Sequence, residues 1–98
     1  MAHHVVAHIT VRPEARGKFL ELLGNHVALS LEGGGCEAFD VRQDVNDQCK
    51  LVYVERYTTK AAFDRHITSP RVMKFLEETS QFLAKPADFA EYEDLRSM

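Results

Sequence analysis

The chain has 98 residues and a formal net charge of −3 at pH 7, so we expect one domain over residues 1–98, with its core at about residues 5–95. Twelve Lys and Arg against 15 Asp and Glu, with no basic run, argue against a nucleic-acid partner. No apolar run is long enough to span a membrane and no signal-peptide pattern is present, so we expect a cytoplasmic protein with no membrane partner.

The first predicted elements are a strand and a long helix. Residues 5–11 alternate and are rich in β-branched side chains, which favours a strand. Pro13 and Glu14 are typical of a first helical turn, and the helical period continues to about residue 32, where three glycines end it. One face of this helix is mostly apolar and consists of Ala15, Phe19, Leu22, Leu23, His26 and Ser30. His3 and His4, before the strand, are expected to be frayed.

A hairpin, two shorter helices and a last strand follow. Residues 36–44 and 51–57 are predicted strands joined by a turn at residues 45–48. Thr58 or Thr59 can cap a helix over about 60–68. Ser69 and Pro70 begin another helix, whose mostly apolar stripe consists of Val72, Phe75, Leu76, Thr79, Phe82 and Leu83. Residues 88–95 alternate as a final strand.

The order β-α-β-β-α-α-β is the split βαβ plan of ferredoxin-like α+β folds. We therefore predict an antiparallel four-stranded sheet with all helices on one face. The first and third strands carry apolar side chains on both sides, so a second copy packed sheet against sheet would bury the other face. A homodimer is therefore expected. A small-molecule pocket of several hundred Å³ is large for so small a core, which suggests that the second subunit also supports the pocket.

Two cysteines, Cys36 and Cys49, lie at opposite ends of the predicted hairpin ladder. A disulfide requires Cα atoms within about 7 Å. We therefore expect free thiols, with Cys36 packed in its strand.

Three ionisable residues are predicted to face inward. His26 and His66 lie on apolar helix faces, and Glu55 alternates with Tyr53 and Tyr57 on one face of the third strand. A carboxylate in a central strand is costly to bury unless it is paired. Together the three form a candidate acid–base site.

Each of these residues also has a structural interpretation. A single histidine on an apolar helix face is more often a hydrogen-bonded core residue than a catalyst, and the tyrosines fit strand packing. A metal site of two histidines and one carboxylate is a minor alternative. The roles of His8 and Asp40 stay open, because one residue of register slippage would reverse the face of Asp40.

Several short motifs, in this order and spacing, resemble the antibiotic biosynthesis monooxygenase family over about residues 5–95. They are Asn25-His26, Gly35-Cys36, Phe39-Asp40-Val41, Glu55-Arg56-Tyr57, Phe63-Asp64-x-His66 and Ser69-Pro70. The resemblance implies a ferredoxin-like fold and homodimers whose two sheets meet as a dimeric α+β barrel.

The resemblance implies a cofactor-independent monooxygenase that acts on a phenolic or quinol-type substrate, with O₂ as co-substrate and no metal or flavin. The motifs look most like those of isomerases that process a phosphorylated autoinducer-2 signal, whose site includes residues corresponding to His26 and Glu55. Isomerisation of such a sugar ketone is therefore the first alternative, and a non-catalytic dimeric metabolite-binding module is the second. Haem-degrading relatives depend on a Trp, which this sequence lacks.

Both reactions begin with removal of a proton from the substrate. We expect His26 to be the base, because its ordinary pKa near 6.5 suits proton transfer at neutral pH. Glu55 would hold its tautomer, and His66 would hydrogen-bond a substrate oxygen. The substrate-binding residues are predicted to be Asn25, Phe39, Tyr53 and Tyr57.

Overall fold

The computed structural model describes residues 1–95, which form four strands and three α-helices. In chain order they are β1 (His3–Thr10), α1 (Arg16–Glu32), β2 (Cys36–Gln43), β3 (Lys50–Tyr57), α2 (Lys60–Thr68), α3 (Pro70–Ser80) and β4 (Asp88–Glu93). A short 3-10 turn, Pro13–Ala15, leads into α1.

The strands form one antiparallel sheet in the order β2-β3-β1-β4. Within β1 and β3 the buried residues alternate with more exposed ones, and the buried set packs with the helices into a single core. The fold therefore confirms the predicted antiparallel, ferredoxin-like α+β architecture.

The turn between α1 and β2 lies close to α2. Gly34 and Gly35 have φ angles of +79° and +86°, in the region that glycine adopts at low cost. A Cβ on Gly35 would lie 3.0 Å from the Cβ of Ala62, so glycine also allows α2 to approach.

Two side chains set the starts of α2 and α3. The Thr59 hydroxyl accepts a hydrogen bond from the Ala62 amide at 3.1 Å, as predicted for an N-cap. Ser69 ends α2 and begins α3: its hydroxyl donates to the His66 carbonyl and accepts from the Val72 amide. This single residue joins the two helices, which line one side of the cavity described below.

The end of the last helix and the start of the first strand differ from the sequence predictions. The last helix ends at Ser80 and does not extend to Leu83, because Leu83 forms a bridge to Val11 beside the sheet. The first strand begins at His3, which is not frayed: it is buried, and its ring bonds the Glu91 carboxylate on β4 at 2.8 Å.

Cys36 and Cys49 are free thiols, and both are buried. Burial, together with the nearby Glu55 carboxylate, raises the pKa of the Cys36 thiol, which makes it a poor nucleophile. Within residues 1–95, no helix combines the length and the apolar character that crossing a membrane requires.

Candidate functional site

A cavity of about 620 Å³ lies between the helices and the helix-covered face of the sheet. This volume suits a small organic molecule. Its lining is largely apolar and aromatic, and its polar members are His26, Tyr53, Glu55, His66, Thr79, Ser80 and Lys85. The cavity is partly open to its surroundings, and one chain supplies the lining described here.

His26 lies on the buried face of α1 and is 5% exposed. Its ring stacks on Phe75 of α3, with centroids 3.9 Å apart and planes within 4°. Its Nδ1 atom lies 3.1 Å from a guanidinium nitrogen of Arg71, whose second nitrogen donates to the Ser30 hydroxyl at 3.3 Å. The imidazole is therefore held on one face by an aromatic ring and on one edge by a cation.

Glu55 lies in the middle of β3 and is 7% exposed. The Tyr57 hydroxyl donates to its carboxylate at 2.5 Å. Since Arg71 and not Glu55 bonds His26, the structure does not form the predicted Glu55–His26 pair. The carboxylate instead has its own partner behind the cavity wall.

His66, on α2, is half-buried and forms the third polar corner. Its ring centroid lies 5.7 Å from that of His26 and 5.2 Å from that of Tyr57. Both imidazoles therefore face the same small volume, within reach of one bound molecule.

Burial changes the basicity of these groups. Desolvation and then the positive charge of Arg71 lower the pKa values of both His26 and His66 to about 4. Desolvation raises the pKa of Glu55 above its ordinary 4.5, although the bond from Tyr57 opposes that rise. At neutral pH the two histidines are neutral, and burial shifts the three pKa values in opposite directions, down for the histidines and up for the carboxyl.

The structure brings together five of the seven predicted site residues: His26, Glu55, His66, Phe39 and Tyr53 all line the cavity. Tyr57 is fully buried and is not a lining residue, so it orients Glu55 and does not form part of the aromatic wall. Asn25 is exposed, because one helical step of about 100° turns it away from the buried face that holds His26. It does not reach the cavity.

His8 and Asp40, to which the sequence assigned no role, lie on the opposite face of the sheet. Asp40 pairs with Val54 and is exposed, and His8 pairs with Val52 and is exposed. Neither side chain lines the cavity.

Sequence reasoning missed two contacts of His26. Phe75 was placed on the apolar stripe of α3, but the helical spacing alone could not show that it stacks on an imidazole. Arg71 directly precedes the stripe residue Val72 and is exposed, so it has the pattern of an ordinary surface arginine. Only the packing of α3 against α1 reveals its role.

Within residues 1–95, no three His, Cys, Asp or Glu side chains converge in a way that could hold a metal ion. The alternative of a metal bound by His26, Glu55 and His66 therefore has no support in the geometry.

The sequence model of the antibiotic biosynthesis monooxygenase family matches residues 2–78. The chain is 27% identical over 88 residues to the uncharacterized protein sll1783 of Synechocystis sp., covering 90% of this chain and 60% of that protein. It is 29% identical over 82 residues to a Mycobacterium tuberculosis protein named "Putative monooxygenase Rv0793", covering 84% of this chain and 80% of that protein.

Many solved structures resemble the fold over nearly its whole length. The structure of Rv0793 superposes with a TM-score of 0.90 at 25% identity, covering 99% of this chain and 98% of that one. A conserved protein from Methanosarcina mazei gives a TM-score of 0.92 at 25% identity, covering 97% of this chain and 94% of that one.

Proposed function

The chain belongs to the antibiotic biosynthesis monooxygenase family, and from that premise we propose that it is a cofactor-independent monooxygenase of phenolic or quinol-type substrates. The observation that carries the proposal is the composition of the cavity. A buried carboxylate of raised pKa and two neutral imidazoles face an otherwise apolar, aromatic space. This suits a flat, uncharged aromatic molecule with a few hydroxyl groups.

Glu55 is the base in this proposal. A general base is most effective when its pKa lies near the operating pH. Burial moves the pKa of both histidines away from neutrality, to about 4, and moves the pKa of Glu55 toward it. The expectation that His26 is the base rested on its ordinary pKa, which the fold changes. His66 would hydrogen-bond a substrate oxygen, and Phe39 and Tyr53 would hold the ring.

The reaction balances without an added reductant. Glu55 takes a proton from a hydroxyl of the quinol, and the electron-rich anion transfers an electron to O₂. The two radicals combine at the adjacent ring carbon, and the peroxide formed takes back the proton from Glu55 and becomes a hydroperoxide. That carbon then loses its hydrogen as the O–O bond breaks, which gives a carbonyl and water. The quinol supplies four electrons, so the sum is quinol plus O₂ giving hydroxyquinone plus water.

The cavity gives less support to the isomerase alternative. A phosphorylated sugar requires cationic or amide donors for its phosphate group. Among the described residues that line the cavity, Lys85 is the one Lys or Arg. The surrounding wall is apolar and would leave a dianionic phosphate poorly solvated.

We also propose that the functional unit is a homodimer. All three helices cover one face of the sheet, and the other face carries a band of apolar side chains. Val54 of β3 and Tyr92 of β4 are 43% and 54% exposed there. Val6 of β1 pairs with Val54, and Val52 lies two residues before Val54 on the same face of β3. A second copy packed on the same face would bury this band and complete a two-layer core.

Oxygen uptake in the presence of a panel of one-, two- and three-ring hydroquinones tests the proposed reaction. Catalase is added at the end of each run, because simple autoxidation to the quinone releases H₂O₂, from which catalase returns half of the oxygen. We expect enzyme-dependent uptake of one O₂ per quinol, no oxygen returned, and a hydroxyquinone product by mass spectrometry.

The other outcomes contradict the proposal. Isomerised product from a phosphorylated sugar ketone, without oxygen uptake, would identify an isomerase. Saturable binding of quinols with no uptake above that of the Glu55→Gln variant would identify a binding module.

A further inference from the structure

Arg71 contacts two residues one turn apart on α1. One guanidinium nitrogen lies 3.1 Å from His26 Nδ1, and the other donates to the Ser30 hydroxyl at 3.3 Å. The Ser30 hydroxyl in turn donates to the His26 carbonyl at 2.7 Å. The side chain reaches this position from an exposed site in the first turn of α3. It is thus fixed at two points against the helix that carries His26.

The chemistry of arginine determines where the His26 proton lies. A guanidinium carries donors and no acceptor, so in this contact Nδ1 must be the acceptor. A neutral imidazole has one N–H, which then lies on Nε2. Nε2 has no hydrogen-bond partner among the described residues. Because no buried side-chain nitrogen or oxygen within residues 1–95 lacks a partner, Nε2 must lie at an open surface, and His26 lines the cavity. Nε2 is therefore open to the cavity as a donor.

From these contacts we infer that Arg71 is a positioning residue that holds His26 in the Nε2-protonated tautomer, so that His26 meets the substrate as a hydrogen-bond donor and not as a base. This inference depends on the proposed function only in the identity of the substrate oxygen that accepts the bond. A neutral donor of this kind stabilises the negative charge that develops on the substrate oxygen after Glu55 removes the proton. The stacked Phe75 ring keeps the imidazole in the plane that the guanidinium edge requires.

Long-range ¹H–¹⁵N NMR of the histidine rings tests the tautomer in the protein without any substrate. We expect His26 at pH 7 to show one protonated Nε2 and one unprotonated, hydrogen-bonded Nδ1. In Arg71→Met, the Nδ1 signal is expected to move toward that of a free acceptor. Arg65→Met, which changes an exposed arginine of α2, is the matched control and leaves the His26 signals unchanged. A protonated Nδ1 in the unaltered protein would overturn the inference.

Two substitutions of His26 distinguish a donor from a base. A glutamine side chain can place an amide N–H near the Nε2 position but cannot accept a proton at neutral pH. We expect His26→Gln to keep kcat within about tenfold, and His26→Leu to lower it about a hundredfold. Equal, near-complete loss in both folded variants would show that His26 is the base and contradict the donor role.

The two proposals fail in different ways. If quinols are not oxygenated but the NMR spectrum shows the Nε2-protonated form, the proposed reaction is wrong and the Arg71–His26 assignment stands. If quinols are oxygenated and Nδ1 carries the proton, the reaction stands and the role of Arg71 is wrong.

Discussion

Glu55 is the residue on which the proposed chemistry depends. It is a nearly buried carboxylate that accepts one hydrogen bond, from Tyr57, and burial raises its pKa. Replacing it with Gln keeps the shape and an oxygen that can accept the Tyr57 bond but removes the base. We expect Glu55→Gln to lower kcat by a hundredfold or more, on the order of a general base's contribution, in a steady-state oxygen-uptake assay.

A matched control is available on the neighbouring strand. Glu37 of β2 is exposed and contacts Arg56 at 3.4 Å on the surface. Glu37→Gln makes the same chemical change away from the cavity, and its kcat should equal that of the unaltered protein. Similar activity in both variants would exclude Glu55 as the base.

The buried histidines make stability depend on pH. His26 has a pKa of about 4 in the fold against an ordinary 6.5, with Arg71 and His66 as its charged or titratable neighbours. Between these values the unfolded chain binds more protons, so the free energy of unfolding falls as pH drops through this range. From pH 7 to pH 5 the loss from this one residue is about 2 kcal/mol.

Urea unfolding of the unaltered protein and of His26→Gln at both pH values measures this loss. The raised pKa of Glu55 acts with the opposite sign, since its folded form binds a proton first, and this contribution cancels in the comparison. We expect the fall in unfolding free energy from pH 7 to pH 5 to be smaller in the variant. An equal fall in both proteins would mean that His26 titrates normally in the fold.

At the residue scale, the sequence predicted which side chains share the cavity better than what they do there. Helical and strand periodicity were enough to turn His26, His66 and Glu55 toward one space. Their pKa values and partners depend on long-range packing, because Arg71 is 45 residues from His26 in the chain. No local pattern marks such a pair.

At the scale of elements, the junction of α2 and α3 is the feature that shapes one side of the cavity. Ser69 provides the only residue between the two helices and bonds both of them. Its loss removes an N-cap and a bond to the end of α2. We expect Ser69→Ala to lower the free energy of unfolding by about 1 kcal/mol, measured by urea denaturation.

Ser80, the last residue of α3, serves as the control. Its exposed hydroxyl donates to the Glu77 carbonyl within the same helix. Ser80→Ala is expected to change the free energy of unfolding by less than about 0.5 kcal/mol. If the two variants lost the same stability, Ser69 would have no special role at the junction.

The elements themselves were largely predictable because each has a local signal. Residues 60–68 were predicted as a helix from a cap and a periodic face, and the structure has α2 at Lys60–Thr68. The end of α3 was not predictable, since Phe82 and Leu83 continue its apolar spacing. They pack on the core beyond the helix, where Leu83 pairs with Val11. A tertiary contact thus replaces the last helical turn.

At the scale of the whole molecule, the uncovered sheet face carries the proposed dimer. Val54 lies near its centre and is 43% exposed. An aspartate there would place a charge inside the interface, which is costly to bury without a partner. We expect Val54→Asp to elute as a monomer at micromolar concentration, when molar mass is measured by light scattering after gel filtration.

Val45 offers a matched comparison, because it is 96% exposed in the loop between β2 and β3. Val45→Asp should remain a dimer. A monomeric mass for the unaltered protein, or an unchanged dimer in folded Val54→Asp, would contradict sheet-to-sheet packing.

The proposed reaction places one atom of O₂ into a quinol without a cofactor. The most direct test is turnover of a hydroquinone under ¹⁸O₂ in the presence of a metal chelator, with mass spectrometry of the product and of the water formed. The proposed reaction predicts one ¹⁸O atom in the hydroxyquinone and one in water. A product without ¹⁸O would contradict it. So would a product that takes up as much label from ¹⁸O-labelled water under ¹⁶O₂, after correction for exchange of the product's oxygens with water.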